Sequence, residues 1–179
     1  ISPSMDILIS SNLERLLYHI TNDATKIKSY MEKLQSTGCY QVDEVTLKAI
    51  QETFSAGYLD DNATKKCIHD IYQQDNYVAD THTAVAWQVA QDYQKSTQDK
   101  TPMIILSTAS PYKFSDSVLS ALGEDISDKD EFALLDKLST LNKDKIPQGL
   151  AQLQSLPILH NNLCAKEDMI KAVNTFLNI

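Results

Sequence analysis

Apolar residues recur along most of this chain at helical spacing. Leu13, Leu16, Leu17 and Ile20 form one stripe, and Ile27, Tyr30, Met31 and Leu34 form the next. Ser11-Asn12-Leu13-Glu14 has the capping-box pattern, in which Glu14 reaches back to an unpaired backbone donor, so a helix is expected to start there. Asp23 is the expected cap of the second helix and Gly38 its end. A third helix is expected from about Asp43 to Phe54, with Leu47, Ile50 and Phe54 facing inward. Gly57-Tyr58 is a break. Asp61 is then expected to cap a fourth helix whose apolar face is Cys67, Ile68, Ile71 and Tyr72. After a loop at Asp75 to Asp80, Thr81 is expected to open a fifth, with Val85, Val89 and Tyr93 on one face. Later stripes are Phe132, Leu135 and Leu138, then Leu150 and Leu153, and finally Met169, Ile170, Val173, Phe176 and Leu177.

One stretch breaks this rhythm. Met103-Ile104-Ile105-Leu106 is a short apolar run with two β-branched residues, the pattern of a buried strand. It runs into Ser107-Thr108-Ala109-Ser110-Pro111, small residues that suit a tight turn into a helix. Ser110 is the expected N-cap, Pro111 fits a first helical turn, Phe114, Val118 and Leu122 recur every four residues, and Gly123 closes the helix. In α/β proteins a strand end followed by a helix start is where ligands bind; an ordinary strand-turn-helix has the same local pattern. Leu156-Pro157-Ile158-Leu159 is a second, weaker strand candidate. A lone central strand leaves backbone donors and acceptors unpaired, and stable sheets normally need three or more strands. Either Met103–Leu106 is not a strand, or its sheet neighbours belong to another part of a longer polypeptide; we favour the second. The expected fold class is therefore α/β, strongly helix-rich, with about eight helices and one or two short strands.

Composition narrows the function classes. With 179 residues, 42% of them hydrophobic, the chain is long enough for one domain with a real core. A net charge of −8 argues against nucleic acid and anionic membranes, which need a basic face. There is no signal peptide or bilayer-spanning run, so a cytoplasmic location is expected. Beginning at Ile1 rather than Met, the chain reads as a processed or excised piece. The three cysteines, Cys39, Cys67 and Cys164, have no zinc or disulfide spacing and are expected to be small apolar fillers. The four histidines, His19, His69, His82 and His160, show no i, i+4 pair, and no metal site is expected. With only four glycines, no Gly-rich loop is present to cradle a phosphate. Asp80-Thr81-His82-Thr83, at a helix start before an apolar face, suits either a capping cluster or the lining of a site. Lys113, near a helix N-terminus, sits at the electrostatically unfavourable end for a cation, which makes sense beside an anion and equally as a solvated lysine.

Three stretches in order resemble one family. They are Pro3-Ser4-Met5-Asp6-Ile7 running into Ser11-Asn12-Leu13-Glu14-Arg15-Leu16-Leu17, then Asp80-Thr81-His82-Thr83-Ala84-Val85-Ala86, then Leu106-Ser107-Thr108-Ala109-Ser110-Pro111-Tyr112-Lys113-Phe114. Together they resemble the C-terminal portion of threonine synthase, in its longer bacterial and fungal form. The resemblance implies a pyridoxal-phosphate enzyme of the tryptophan-synthase-β fold type (fold type II), converting O-phospho-L-homoserine and water to L-threonine and phosphate. It implies that residues 1–122 belong to the catalytic domain and 123–179 to a C-terminal helical tail. The Schiff-base lysine and the Gly/Asn-rich loop for the cofactor phosphate would lie upstream, in the N-terminal part of the same polypeptide, which becomes the chain's partner.

By the same resemblance, Thr108 matches the hydroxyl that faces the cofactor's pyridine nitrogen, with Ser107 the second choice. A neutral hydroxyl there leaves the nitrogen largely unprotonated, as an Asp would not. Asn12, Arg15, Asp80, His82 and Lys113 match motif positions near the active-site cleft and are candidates for the substrate site; an arginine can grip a phosphate or carboxylate at two points. Many family members carry His-Pro-Ala-Lys-Phe where this chain has Ser110-Pro111-Tyr112-Lys113-Phe114, so no imidazole stands at position 110. The piece alone is expected to be inactive. Two other readings remain: a self-contained helical interaction module, and a fold-type-II pyridoxal-phosphate lyase acting on a different amino acid. The module requires Met103–Leu106 to be helical or covered, whereas the fragment leaves it an unpaired edge.

Overall fold

A computed structural model describes residues 1–2, 7, 9–127 and 129–179. The Pro3-Ser4-Met5-Asp6 stretch lies outside the described residues. The chain divides into two compact units, Ile1–Lys145 and Ile146–Ile179.

The first unit opens with α1 (Ser11–Thr21), α2 (Ala24–Thr37) and α3 (Glu44–Gln51). Ser10, not Ser11, caps α1. Its backbone is extended and its hydroxyl accepts the Leu13 N–H at 3.3 Å, while Ser11 is already helical. Asp23 caps α2 as expected, and Gly38 ends it at φ 77°, a left-handed turn that favours glycine. These helices enclose Leu17, Ile27 and Tyr30, with Met31, Tyr40, Val42 and Ile50 packed around them. Helix α3 stops three residues before Phe54. It turns Thr46 and Ile50 inward, four residues apart on one face, and leaves Leu47 and Phe54 exposed, contrary to expectation. Asp43 caps α3 through the Thr46 N–H (2.9 Å). The same carboxylate accepts from Lys26 Nζ (2.7 Å) and the Tyr30 hydroxyl (3.1 Å), so one side chain ties α2 to α3.

A second group of helices follows: α4 (Asp61–Asp75), α5 (Thr81–Thr97), α6 (Ser115–Ala121) and α7 (Glu131–Leu141). Their caps are Asp60 and Asp80, each one residue before the expected Asp61 and Thr81, and Asp130. Helix α4 packs on α5 and α6, and α6 on α7. Ile68, Val118, Leu119 and Leu138 are completely enclosed, and Cys67 and Ile71 are buried beside them. Burial in α5 concentrates in its first turn, Thr81 to Ala84. Ser110 caps a 3-10 turn, Pro111–Phe114, that feeds α6, and Gly123 closes it at φ 80°. Cys67 fills apolar space as expected; Cys39 and Cys164 are exposed.

Among the described residues no segment forms a strand. Met103–Leu106 is neither helical nor covered: Ile104 is 89% exposed and Leu106 71%. The segment has no neighbouring strand here with which to form a ladder, as the fragment reading requires and the module reading forbids. Leu156–Leu159 is likewise irregular and exposed. The second unit contains α8 (Gln148–Ala151), two 3-10 turns (Leu153–Ser155 and Lys166–Asp168) and α9 (Met169–Leu177), whose large apolar residues are all exposed. The fold is helix-rich, with nine α-helices among the described residues.

Candidate functional site

The start of α5 gathers most of the residues singled out in the sequence. Asp80 is completely buried. A buried carboxylate is costly unless hydrogen-bonded. Here one oxygen accepts the backbone N–H groups of His82 (2.8 Å) and Thr83 (3.1 Å), and the other accepts the Thr83 hydroxyl. The positive end of the α5 dipole favours the same charge. Thr83 Oγ1 also lies 3.1 Å from Ser107 Oγ, which joins the first turn of α5 to the hydroxyl-rich tip after Met103–Leu106.

The next residue along the tip, Thr108, borders a cavity of about 300 Å³. Its walls are apolar: Ala86 and Ala90 from α5, and the stretch from Met103 to Leu106. The polar residues that border it are Thr108 and His82. The His82 ring stands edge-on to Phe114, with centroids 4.9 Å apart and planes at 79°, and its Nδ1 is hydrogen-bonded to the Ser2 hydroxyl. Phe114 carries Lys113 as well: the exposed ammonium lies 5.3 Å from the ring centre. A second cavity, about 490 Å³, shares His82 and Ala86 with the first and extends past Gly57 and Thr64.

Six residues thus converge: Asp80, His82, Thr83, Ser107, Thr108 and Lys113. Asn12 and Arg15 stand apart. Asn12 is exposed on α1, and Arg15 lines a cleft of about 720 Å³ with residues of α1 and α2, among them Glu14, Lys28 and Glu32. That cleft shares no lining residue with the Thr108 cavity. The role of Phe114 was not legible in the sequence: its spacing with Val118 and Leu122 reads as a helical stripe, and nothing local marks it as the ring against His82. Among the described residues no cluster of His, Cys, Asp and Glu is arranged to hold a metal.

The family model for "Threonine synthase, C-terminal" matches residues 83–173, just over half of the chain. The chain belongs to the threonine synthase family. The match opens at Thr83 and takes in Ser107, Thr108 and Lys113, of which Thr108 borders the cavity. Threonine synthase from Saccharomyces cerevisiae is 32% identical over 175 residues, covering 87% of this chain and 31% of its own length. Human threonine synthase-like 1 is 37% identical over 166 residues, covering 90% of this chain and 20% of its own. Among solved threonine synthases, the yeast enzyme superimposes with a TM-score of 0.77 at 27% identity, over 99% of this chain and 36% of its own. The Brucella melitensis enzyme, solved with PLP bound, gives 0.72 at 31% identity, over 98% and 33%. The chain therefore spans about a third or less of the length of the threonine synthase relatives it matches.

Proposed function

We propose that this chain forms the cofactor-facing wall of a threonine synthase, which converts O-phospho-L-homoserine and water to L-threonine and phosphate with pyridoxal phosphate. The observation that carries the reading is Thr108 at the edge of an apolar cavity, next to Ser107, which is tied to the α5 start. The likeness to the PLP-bound Brucella enzyme supports it. The residues present suit one side of that cofactor: a neutral hydroxyl to meet a ring nitrogen, and apolar walls to hold a flat ring. When bound, pyridoxal phosphate supplies an electron sink for charge that develops on the substrate. The chain's own residues do the rest of what is proposed here. Thr108 hydrogen-bonds the ring nitrogen without protonating it. Ala86, Ala90 and Met103 exclude water from the ring. His82, braced by Phe114, and exposed Lys113 stand where an anionic substrate gains from them. Asn12, exposed on α1, and Arg15, in a separate cleft, take no part in holding the ring.

The reading assigns residues 1–122 to the catalytic domain and 123–179 to a helical tail, and gives the chain the upstream part of the polypeptide as its partner. That part supplies the lysine that bonds the cofactor and the loop for its phosphate. The cytoplasm is the proposed location; among the described residues no helix is long and apolar enough to cross a membrane.

The test has two arms. The isolated chain, given pyridoxal phosphate and O-phosphohomoserine, should release phosphate no faster than buffer. In the full-length polypeptide, Thr108→Val should lower kcat about 10-fold or more, as expected for losing a hydrogen bond worth about 1.5–3 kcal/mol, with the melting temperature unchanged. Thr108→Ser should be mild. Turnover by the isolated chain, or an unchanged rate in Thr108→Val, would overturn the reading. The 37% identity to threonine synthase-like 1 favours a second reading, a related enzyme acting on another amino acid. Full-length protein that eliminates phosphate from a different phosphoamino acid, and makes no threonine, would establish it.

A further inference from the structure

We propose that Asp80 and Thr83 are positioning residues: a hydrogen-bond relay from the Asp80 carboxylate through the Thr83 hydroxyl to Ser107 fixes where the neighbouring Thr108 hydroxyl points. The proposal rests on the reading that Thr108 meets the cofactor ring.

The relay has a defined direction. Asp80 accepts two backbone N–H groups on one oxygen, which suits the ionised carboxylate, and an ionised carboxylate only accepts. The Thr83 hydroxyl has a single proton, and its shorter contact is with the other Asp80 oxygen. That proton therefore goes to Asp80. Ser107 must then donate its own proton to Thr83 Oγ1 across the 3.1 Å contact. Each member fixes the next: the carboxylate is held by three hydrogen bonds in the buried α5 cap, Thr83 is buried, and Ser107 is exposed on a segment with no regular structure. A loop otherwise lacking backbone support is thereby anchored to a rigid helix start. Thr108 makes no hydrogen bond among the described residues, so its hydroxyl is available for a ligand. The two adjacent hydroxyls divide the work, one as anchor and one as ligand. This explains a carboxylate completely buried beside a cavity it does not line.

The experiment compares Thr83→Val, which keeps the branched shape and removes the oxygen, with Thr83→Ser, which restores it. Ser107→Ala cuts the same relay from its exposed end, where packing is not at risk. In the chain itself, the backbone order parameters of Ser107 and Thr108 should fall from about 0.85 towards 0.6 in Thr83→Val and Ser107→Ala, and recover in Thr83→Ser. In full-length holoenzyme, the absorbance maximum of the cofactor should shift in the same direction in Thr83→Val as in Thr108→Val. Unchanged order parameters would overturn the relay. A spectrum moved by Thr108→Val but not by Thr83→Val or Ser107→Ala would overturn it too, leaving the role of Thr108 intact. A spectrum moved by none of them would overturn the role of Thr108, and the relay's purpose with it.

Discussion

Asp43 carries a pH dependence that a single side chain sets. The Lys26 ammonium, followed by the Thr46 N–H, holds its carboxyl well below the usual carboxylate range. A depressed native pKa means that the contribution is fully present above the unfolded value of about 3.9 and is lost as pH falls towards the native one. Between about pH 5 and pH 2 the urea midpoint of the wild-type chain should therefore fall more steeply than that of Asp43→Asn, which lacks the titrating group. Parallel slopes would show that the Lys26–Asp43–Tyr30 tie is not maintained in solution. The sequence marked Asp43 as a helix start because a short acceptor before an apolar stripe is a local signal. It gave no hint of Lys26 and Tyr30, which come from an earlier helix. Three other caps were displaced by one residue for a common reason. Ser10-Ser11, Asp60-Asp61 and Asp80-Thr81 each offer two adjacent acceptors, and apolar spacing does not choose between them. The earlier residue caps each time, because the later one already lies inside the helix.

At the scale of elements, apolar stripes announced helices reliably and their covering poorly. Helix α4 and helix α9 both carry a clear stripe. In α4 the stripe is enclosed, with Ile68 completely buried; in α9 Ile170 is 77% exposed. Ile68→Ala should cost about 2–5 kcal/mol, as for deleting a buried branched side chain that leaves a cavity. Ile170→Ala should stay within about 0.5 kcal/mol, as for a surface site. Chemical denaturation of the two variants checks both values, and an equal loss would mean that the α9 face is covered in solution. Periodicity reports which side of a helix is apolar, and says nothing about what faces it. The same limit explains Met103–Leu106. Its composition is that of a strand, but a strand exists only through its neighbours, and among the described residues it has none. The cavity beside Thr108 was legible only in part. The motif residues were visible, but the walls from Ala86, Ala90 and Met103 depend on how α5 lies against the segment, which no local pattern encodes.

For the molecule as a whole, the three thiols give a simple measure of whether the core is closed. Cys39 and Cys164 are exposed. Cys67 is 3% exposed, and burial pushes its thiol up to about 11. A thiol reagent at neutral pH should modify two groups quickly and the third only as the chain unfolds, because the thiolate is the reacting form. Three equally fast thiols would mean that α4 and α5 separate readily.

Helix termination has a further consequence. Asn22, Asn76, Gln98 and Asn178 all take the left-handed conformation that usually calls for glycine, and only Gly38 and Gly123 do so among the glycines. Each side-chain-bearing stop carries slight strain when folded and restricts the backbone when the chain is extended. The unfolded ensemble is thus narrowed at four separate places along the chain. A polypeptide whose three cysteines are all free, with exposed apolar residues along α9, gains order from the states it is denied.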